Sequence, residues 1–157
     1  MDVETLYTQY AKKIYNYFLA VCNDHYLAEE MTAETFFQAV RSIDKYRGES
    51  NILTWLFKIA KHVWYHELEK RKKRHEAELN EEIADNQPLP DDELIDREDK
   101  VTLYRRLQQL DQTTRDVMHL HLTGELSFKE IGNVMGQSEG WARITFYRGK
   151  ERIKKHE

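Results

Sequence analysis

The stretch LSFKEIGNVMGQSEGWARITFYRGKERI, residues 126–153, constrains the fold more tightly than any other part of the 157-residue chain. Ser127 stands just before an apolar-periodic run and Glu130 follows three residues later, the spacing of a reciprocal helix cap. Gly136 supports a tight turn, and Ser138 begins a second helical run. Phe128, Ile131, Val134 and Met135 give the first helix an inward face. Ala142, Phe146, Gly149 and Ile153 form a stripe on the second, with Ala142 and Gly149 small enough for close approach. These features specify a helix-turn-helix better than a simple helical hairpin. The physical use of such a pair is groove access, because a helix fits the major groove of B-DNA and its side chains distinguish base edges there. Ser138, Glu139, Gly140 and Trp141 lie at the entering end, and Arg143, Ile144, Tyr147 and Arg148 follow on partly exposed faces. Arg143 is read as the base-edge donor, Arg148 and Lys150 as phosphate contacts. Glu139 either accepts from a cytosine amino group or stabilises the helix N-terminus. Trp141 either reaches DNA or packs on the supporting helix.

The formal net charge of −4 argues against nucleic acid only until it is divided along the chain. Residues 1–75 carry 12 Lys/Arg against 10 Asp/Glu, residues 76–99 one against 11, and residues 100–157 11 against seven. Both ends are positive and the middle is strongly acidic, and a polyanion responds to the local basic face. The middle, EAELNEEIADNQPLPDDELIDRED, also holds both prolines and few large apolar groups, so it reads as a flexible linker. The organisation predicted is all-α: a helical domain over 1–75, an acidic linker over 76–99 and a helix-turn-helix domain over 100–157.

Within the first domain, Leu6, Tyr10, Ile14, Tyr17 and Phe18 recur at helical spacing. A turn at Asn23 and Asp24 separates them from Leu27, Met31, Phe36, Phe37 and Val40, and both runs are expected in the core of a small bundle. DKYRGESN, residues 44–51, reads as a connection into a third helix whose apolar stripe is Ile52, Trp55, Leu56, Ile59, Val63 and Leu68. Lys58, Lys61, Lys70 and the run Arg71–Arg74 make its polar side basic, with Trp64 and Tyr65 interleaved as residues able to stack on bases. Beyond the linker, Val101, Leu103, Leu107, Leu110, Val117 and Leu120 predict two supporting helices broken near Asp111 and Gln112.

Other chemistries find little support. Cys22 is the single cysteine, so it makes neither an intramolecular disulfide nor a multi-thiolate metal site, and a reducing compartment is its natural setting. His62 and His66 have i,i+4 spacing, but there is no HExxH, and His119 and His121 complete no tetrahedral set. No glycine-rich phosphate cradle, nucleophile elbow or paired-carboxylate site stands out, and neither catalytic residues nor a cofactor are expected. No apolar run approaches membrane-spanning length and MDVETLYTQY lacks a signal-peptide pattern, so a soluble cytoplasmic protein without membrane insertion is expected.

With these residues in view, the chain resembles a bacterial sigma-70 family RNA polymerase sigma factor of the extracytoplasmic-function group. AEEMTAETFFQAVRSIDKYRGESNILTWLFKIAKHVWYHELEKRKK looks like the family's region two, and LYRRLQQLDQTTRDVMHLHLTGELSFKEIGNVMGQSEGWARITFYRGKERI like region four. The resemblance implies a non-enzymatic initiation factor whose partners are core RNA polymerase and promoter DNA. Glu29, Glu30, Glu34, Thr35, Phe36 and Phe37 match the segment that helps bind core. Arg47, Gly48, Glu49, Ser50 and Asn51, with Lys58, Lys61, His62, Trp64, Tyr65 and His66, match the reader and opener of the minus-10 element. Ser138, Glu139, Trp141, Arg143, Ile144, Tyr147, Arg148 and Lys150 fall in the minus-35 reader. Many members of the group have an anti-sigma partner, and the resemblance leaves its presence here open. Leu53, His62, Trp64 and His66 in region two, and Trp141 and Thr145 in region four, depart from the residues common in the family, so promoter sequences do not transfer. A free helix-turn-helix repressor is the main alternative, and it lacks an account of the N-terminal match.

Overall fold

In a computed structural model of the chain, residues 2–78 and 94–154 are described. The N-terminal domain comprises α1 (Val3–Cys22), α2 (His25–Ser42), a single 3-10 turn (Ile43–Lys45) and α3 (Ile52–Glu78). The C-terminal domain comprises α4 (Leu94–Gln108), α5 (Gln112–Leu122), α6 (Phe128–Met135) and α7 (Glu139–Lys154). Thus α3 continues three residues past position 75 and α4 begins within the acidic stretch. The centre of that expected linker, 79–93, lies outside the described residues.

Short polar residues punctuate the helices. The Asp2, Asp24 and Asp111 carboxylates accept from the backbone N–H groups of Thr5, Leu27 and Thr114, and the Asn51 side-chain carbonyl from that of Thr54 at 2.7 Å. Each satisfies a donor that the first helical turn leaves unpaired. Asn23 ends α1 in the left-handed region at φ 54°, with its N–H bonded to the Leu19 carbonyl.

Leu6, Ile14, Tyr17 and Phe18 of α1 pack with Ala28, Met31, Phe36 and Ala39 of α2 and with Leu56, Phe57, Ala60, Val63 and Trp64 of α3. The inward face of α3 is therefore rotated toward Phe57 and Trp64 from the stripe expected, and Trp55, Ile59 and Leu68 are only partly buried. Phe37 and Val40, expected in the core, are 56% and 47% exposed. The inward face of α2 runs through Ala28, Met31, Thr35, Phe36 and Ala39, and Phe37 and Val40, each one position on, are turned about 100° away from it.

In the second domain Val117, Leu120, Leu126, Ile131, Val134, Ala142 and Phe146 are buried, whereas Leu103 is 43% exposed. Two glycines set its spacing. A Cβ on Gly132 would stand 2.7 Å from the Gln137 carbonyl oxygen and 2.8 Å from that of Ser138, so the turn folds directly onto α6. A Cβ on Gly149 would meet Met118 Sδ at 2.8 Å and Thr114 Cγ2 at 2.9 Å, which brings α7 tight against α5.

The domains meet along a seam in which α6 packs on α3 and α5 on α1. Phe57 contributes to both sides of it: its ring meets Tyr17 edge-on at 5.3 Å, and its tip lies 3.2 Å from where a Gly124 side chain would begin.

Candidate nucleic-acid interface

The helix-turn-helix is built as the sequence predicts. Ser127 Oγ accepts from the Glu130 N–H at 3.1 Å while the Glu130 carboxylate accepts from the Ser127 N–H at 2.9 Å, and Gly136 terminates α6 at φ 69°. Ser138 Oγ accepts from the Trp141 N–H at 3.0 Å, opening α7. Ala142, Phe146 and Gly149 face inward, so Glu139, Arg143, Ile144, Tyr147, Arg148 and Lys150 stand outward on the other faces. Trp141 is half-buried and packs on the core.

Aromatic rings brace this surface. His121 stacks on Phe128 at 4.5 Å and 14°, Phe146 meets both, and Tyr147 lies 6.0 Å from Phe128. The Arg143 guanidinium sits 5.6 Å over the Phe128 ring and 3.4 Å from Glu139, held at the entering end of α7. The Arg143–Glu139 pair is exposed, worth ~0–1 kcal/mol, and gives way readily to a base or phosphate.

In the N-terminal domain the loop 46–51 and the start of α3 enclose a second concavity, lined by Lys45, Tyr46, Arg47, Glu49, Ser50, Trp55, Lys58 and, across the seam, Asn133. The Tyr46 and Trp55 rings lie 5.3 Å apart, the Tyr46 hydroxyl donates to the Ser50 carbonyl, and Gly48 turns the loop at φ 77°. Cations beside partly exposed aromatic rings suit a nucleotide. Sequence reading singled out Arg47–Asn51 and Lys58 but took Trp55 for core and passed over Tyr46. The signal available was the pair of aromatics flanking a glycine-bearing loop.

The other expected minus-10 residues divide among three environments. Lys61 and Tyr65 face the C-terminal domain, where Lys61 Nζ donates to the Val134 carbonyl at 3.1 Å and the Tyr65 hydroxyl donates to Asp116. His62 and His66 line a groove opposite Glu30 and Glu34 of α2, and among the described residues no three His, Cys, Asp or Glu side chains converge to hold a metal. Trp64 is 5% exposed, with the Arg71 guanidinium 5.2 Å over its ring. It fills the seam beside Tyr104, Gln112 and His119, so its bulk serves packing in this arrangement. On α2, Glu29, Glu30, Glu34 and Phe37 stand outside, whereas Thr35 and Phe36 are internal. The Thr35 hydroxyl donates to the Met31 carbonyl at 2.7 Å.

Three titratable groups at the seam are displaced by their surroundings. Burial pushes the Asp116 carboxyl up, against hydrogen bonds from Tyr65 and Gln112 that favour its ionised form. Burial and then Arg115 push His119 down to about 4, leaving a neutral ring whose Nε2 has no hydrogen-bond partner among the described residues. Burial also opposes the Glu130 carboxylate, but hydrogen bonds from the Ser127 N–H, Asn51, the Ser127 hydroxyl and Thr54 outweigh it and hold its pKa below the ordinary value.

A capped helix-turn-helix with an exposed cationic and aromatic face, joined to a second helical domain bearing a basic and aromatic loop, has the surface chemistry of the nucleic-acid-binding class. Residues 6–74 match the sigma-70 region 2 family. Over nearly its whole length the chain is also similar to curated sigma factors of Bacillus subtilis (strain 168). It is 26% identical to the extracytoplasmic-function sigma factor SigM, across 98% of this chain and 94% of that protein. With the RNA polymerase sigma factor YlaC it shares 29% identity over 99% and 91%. Two solved structures have the same fold. One is the sigma factor RpoE bound to the anti-sigma factor NepR from Bartonella quintana, with TM-score 0.76, 18% identity and coverage of 97% and 94%. The other is CnrH with the cytosolic domain of CnrY, with TM-score 0.72, 15% identity and coverage of 97% and 84%. Residues 6–74 thus place the chain's N-terminal domain in the sigma-70 family, and over nearly its whole length the chain is similar to sigma factors of the extracytoplasmic-function group. It is accordingly an alternative sigma factor that directs RNA polymerase to promoters, and not an enzyme. Among the described residues no helix is long and apolar enough to cross a membrane.

Proposed function

We propose that the chain divides this work among three surfaces. The outer face of α2, with Glu29, Glu30, Glu34 and exposed Phe37, docks on core polymerase, while Thr35 and Phe36 hold that face from within. The loop Arg47–Asn51 and the exposed side of α3 read and open the minus-10 element, with Tyr46 and Trp55 walling the concavity that takes an unstacked base. The outward face of α7 reads the minus-35 element, Arg143 at a base edge and Arg148 and Lys150 at phosphates. The observation that carries this reading is the pairing of the two concave or convex basic–aromatic surfaces on one chain, which a repressor acting through its helix-turn-helix alone does not need. An anti-sigma protein is the class of regulator this reading entails, by analogy with the partners seen on the two solved relatives.

The test is association with purified core polymerase by fluorescence anisotropy, using the parent chain and Phe37→Ala with Glu34→Lys. Tight binding by the parent and a loss of tenfold or more in the variant, about 1.4 kcal/mol or more, is expected. No binding by the parent, together with sequence-specific DNA binding by the chain alone, contradicts the reading.

A further inference from the structure

His121, one of the histidines that complete no metal site, lies in the last turn of α5 and is tied to the turn that precedes α6. Its Nδ1 is 3.0 Å from the Leu126 carbonyl oxygen, an atom that only accepts, so Nδ1 carries the proton. The Leu126 N–H in turn donates to the Leu120 carbonyl at 3.1 Å. Both backbone groups of Leu126, whose side chain is buried, are therefore held by consecutive residues of α5. That bond fixes the imidazole plane, and Phe128, two residues beyond Leu126, lies against it at 4.5 Å and 14°. Phe146 of α7 meets the same imidazole at 4.5 Å and 66°.

Phe128 is only half-buried, so its ring has room to turn unless a neighbour restrains it. His121 supplies a flat restraint, and the restrained ring is the one beneath Arg143, whose guanidinium lies 5.6 Å from the ring centre. The exposed ion pair of Arg143 with Glu139 is released when a base takes the guanidinium, whereas the ring contact consumes none of its N–H donors. A side chain already held loses less rotamer freedom on reaching its target than one that moves freely. We propose that His121 is a positioning residue for minus-35 recognition: stacked on Phe128, it holds that ring under Arg143 and so sets how sharply Arg143 discriminates at a base edge. The proposal rests on the assignment of Arg143 to a base edge. An imidazole suits the place because it supplies both a flat face for Phe128 and a donor for the Leu126 carbonyl. Phenylalanine supplies only the face, and asparagine only the donor.

The test uses holoenzyme assembled from the full chain and core polymerase, with a preferred duplex selected from a randomised pool and its single-base variants. Arg143→Ala first locates the base pair that Arg143 reads, as the position at which preference relaxes. His121→Ala is expected to lower discrimination at that same base pair about two- to fivefold, the range of one exposed cation–π contact, and to leave the ratios at other positions unchanged. In an Arg143→Ala background it should have no further effect on that ratio. His121→Phe, which keeps the flat ring, should restore discrimination. Phe128→Leu, which keeps apolar bulk and removes the ring, should lower it as His121→Ala does, and it stands in if circular dichroism shows that His121→Ala has lost helix.

A loss of affinity in equal proportion at every site, in both His121→Ala and Phe128→Leu, means packing alone and overturns the proposal. So does a further drop in discrimination when His121→Ala is added to Arg143→Ala. If His121→Phe does not restore discrimination, the stack is overturned, and rescue by His121→Asn instead would assign the effect to the Leu126 bond. If Arg143→Ala changes preference at no position, the base-edge assignment itself fails and the positioning role falls with it. If Arg143→Ala relaxes a position that His121→Ala and Phe128→Leu leave sharp, the assignment stands and only the positioning role is lost.

Discussion

His119 is a single buried imidazole that makes the stability of the chain acid-sensitive. Its folded pKa of about 4 lies below the ordinary 6.5, so above pH 6.5 the ring is neutral folded or unfolded and adds no pH dependence. Between 6.5 and about 4 the unfolded chain binds a proton that the folded chain refuses, and stability falls by on the order of 3 kcal/mol in total. Asp116 works in the opposite sense: its raised pKa means the folded chain takes up its proton first as the pH falls, which returns part of the loss. His119→Leu is expected to flatten the urea midpoint between pH 6.5 and 4.5 relative to the parent. It also removes a buried polar atom, unpartnered among the described residues, whose burial costs roughly 1–3 kcal/mol. Trp64 is likewise fixed by its burial. At 5% exposure its loss in Trp64→Ala should cost about 3–5 kcal/mol of stability, read by thermal or urea unfolding, instead of selectively impairing promoter opening. On α7, Arg143→Ala should relax preference at one or two minus-35 positions and weaken the preferred site by roughly 1–3 kcal/mol. Lys150→Ala should weaken all sites evenly and flatten the salt dependence. Titration against single-base variants at several salt concentrations separates the two, and altered preference on losing Lys150 alone would mean the recognition helix is rotated from the assignment.

Among the elements, α6 and its turn were legible because their determinants are local. Ser127, Glu130 and Gly136 act over three to nine residues, and the cap bonds they imply are present. Gly132 was not legible, because its constraint comes from the chain folding back onto α6 after the turn. By helix propensity Gly132→Ala should stabilise α6 by about 1 kcal/mol. The Gln137 and Ser138 carbonyl oxygens at 2.7 and 2.8 Å from the new Cβ reverse that sign, and a net loss of about 1–3 kcal/mol with a displaced α7 is expected, measured by urea unfolding. The same limit explains α3. Its amphipathic pattern predicted the helix, but which of Trp55, Phe57 and Trp64 turned inward depended on α1 and α5, and the bonds of Asn51 to Glu130 and Tyr65 to Asp116 span 79 and 51 residues. Helical periodicity carries no information on contacts at such separations.

For the whole molecule, the acidic composition conceals two basic, aromatic-bearing surfaces, and the fold sets part of one against the other domain while leaving the outward face of α7 open. Charge segregation and the order of the two halves were legible in sequence; their mutual arrangement was not, since it is fixed by a few polar contacts across a seam. Transcription initiation is the activity that tests this most directly. Purified core polymerase, supplied with this chain and a pool of fragments randomised upstream of a fixed reporter, should yield transcripts enriched for two separated sequence elements. Omitting either protein should abolish them. Transcription independent of the chain, or promoter-specific repression by a chain that does not bind core, would contradict the central claim.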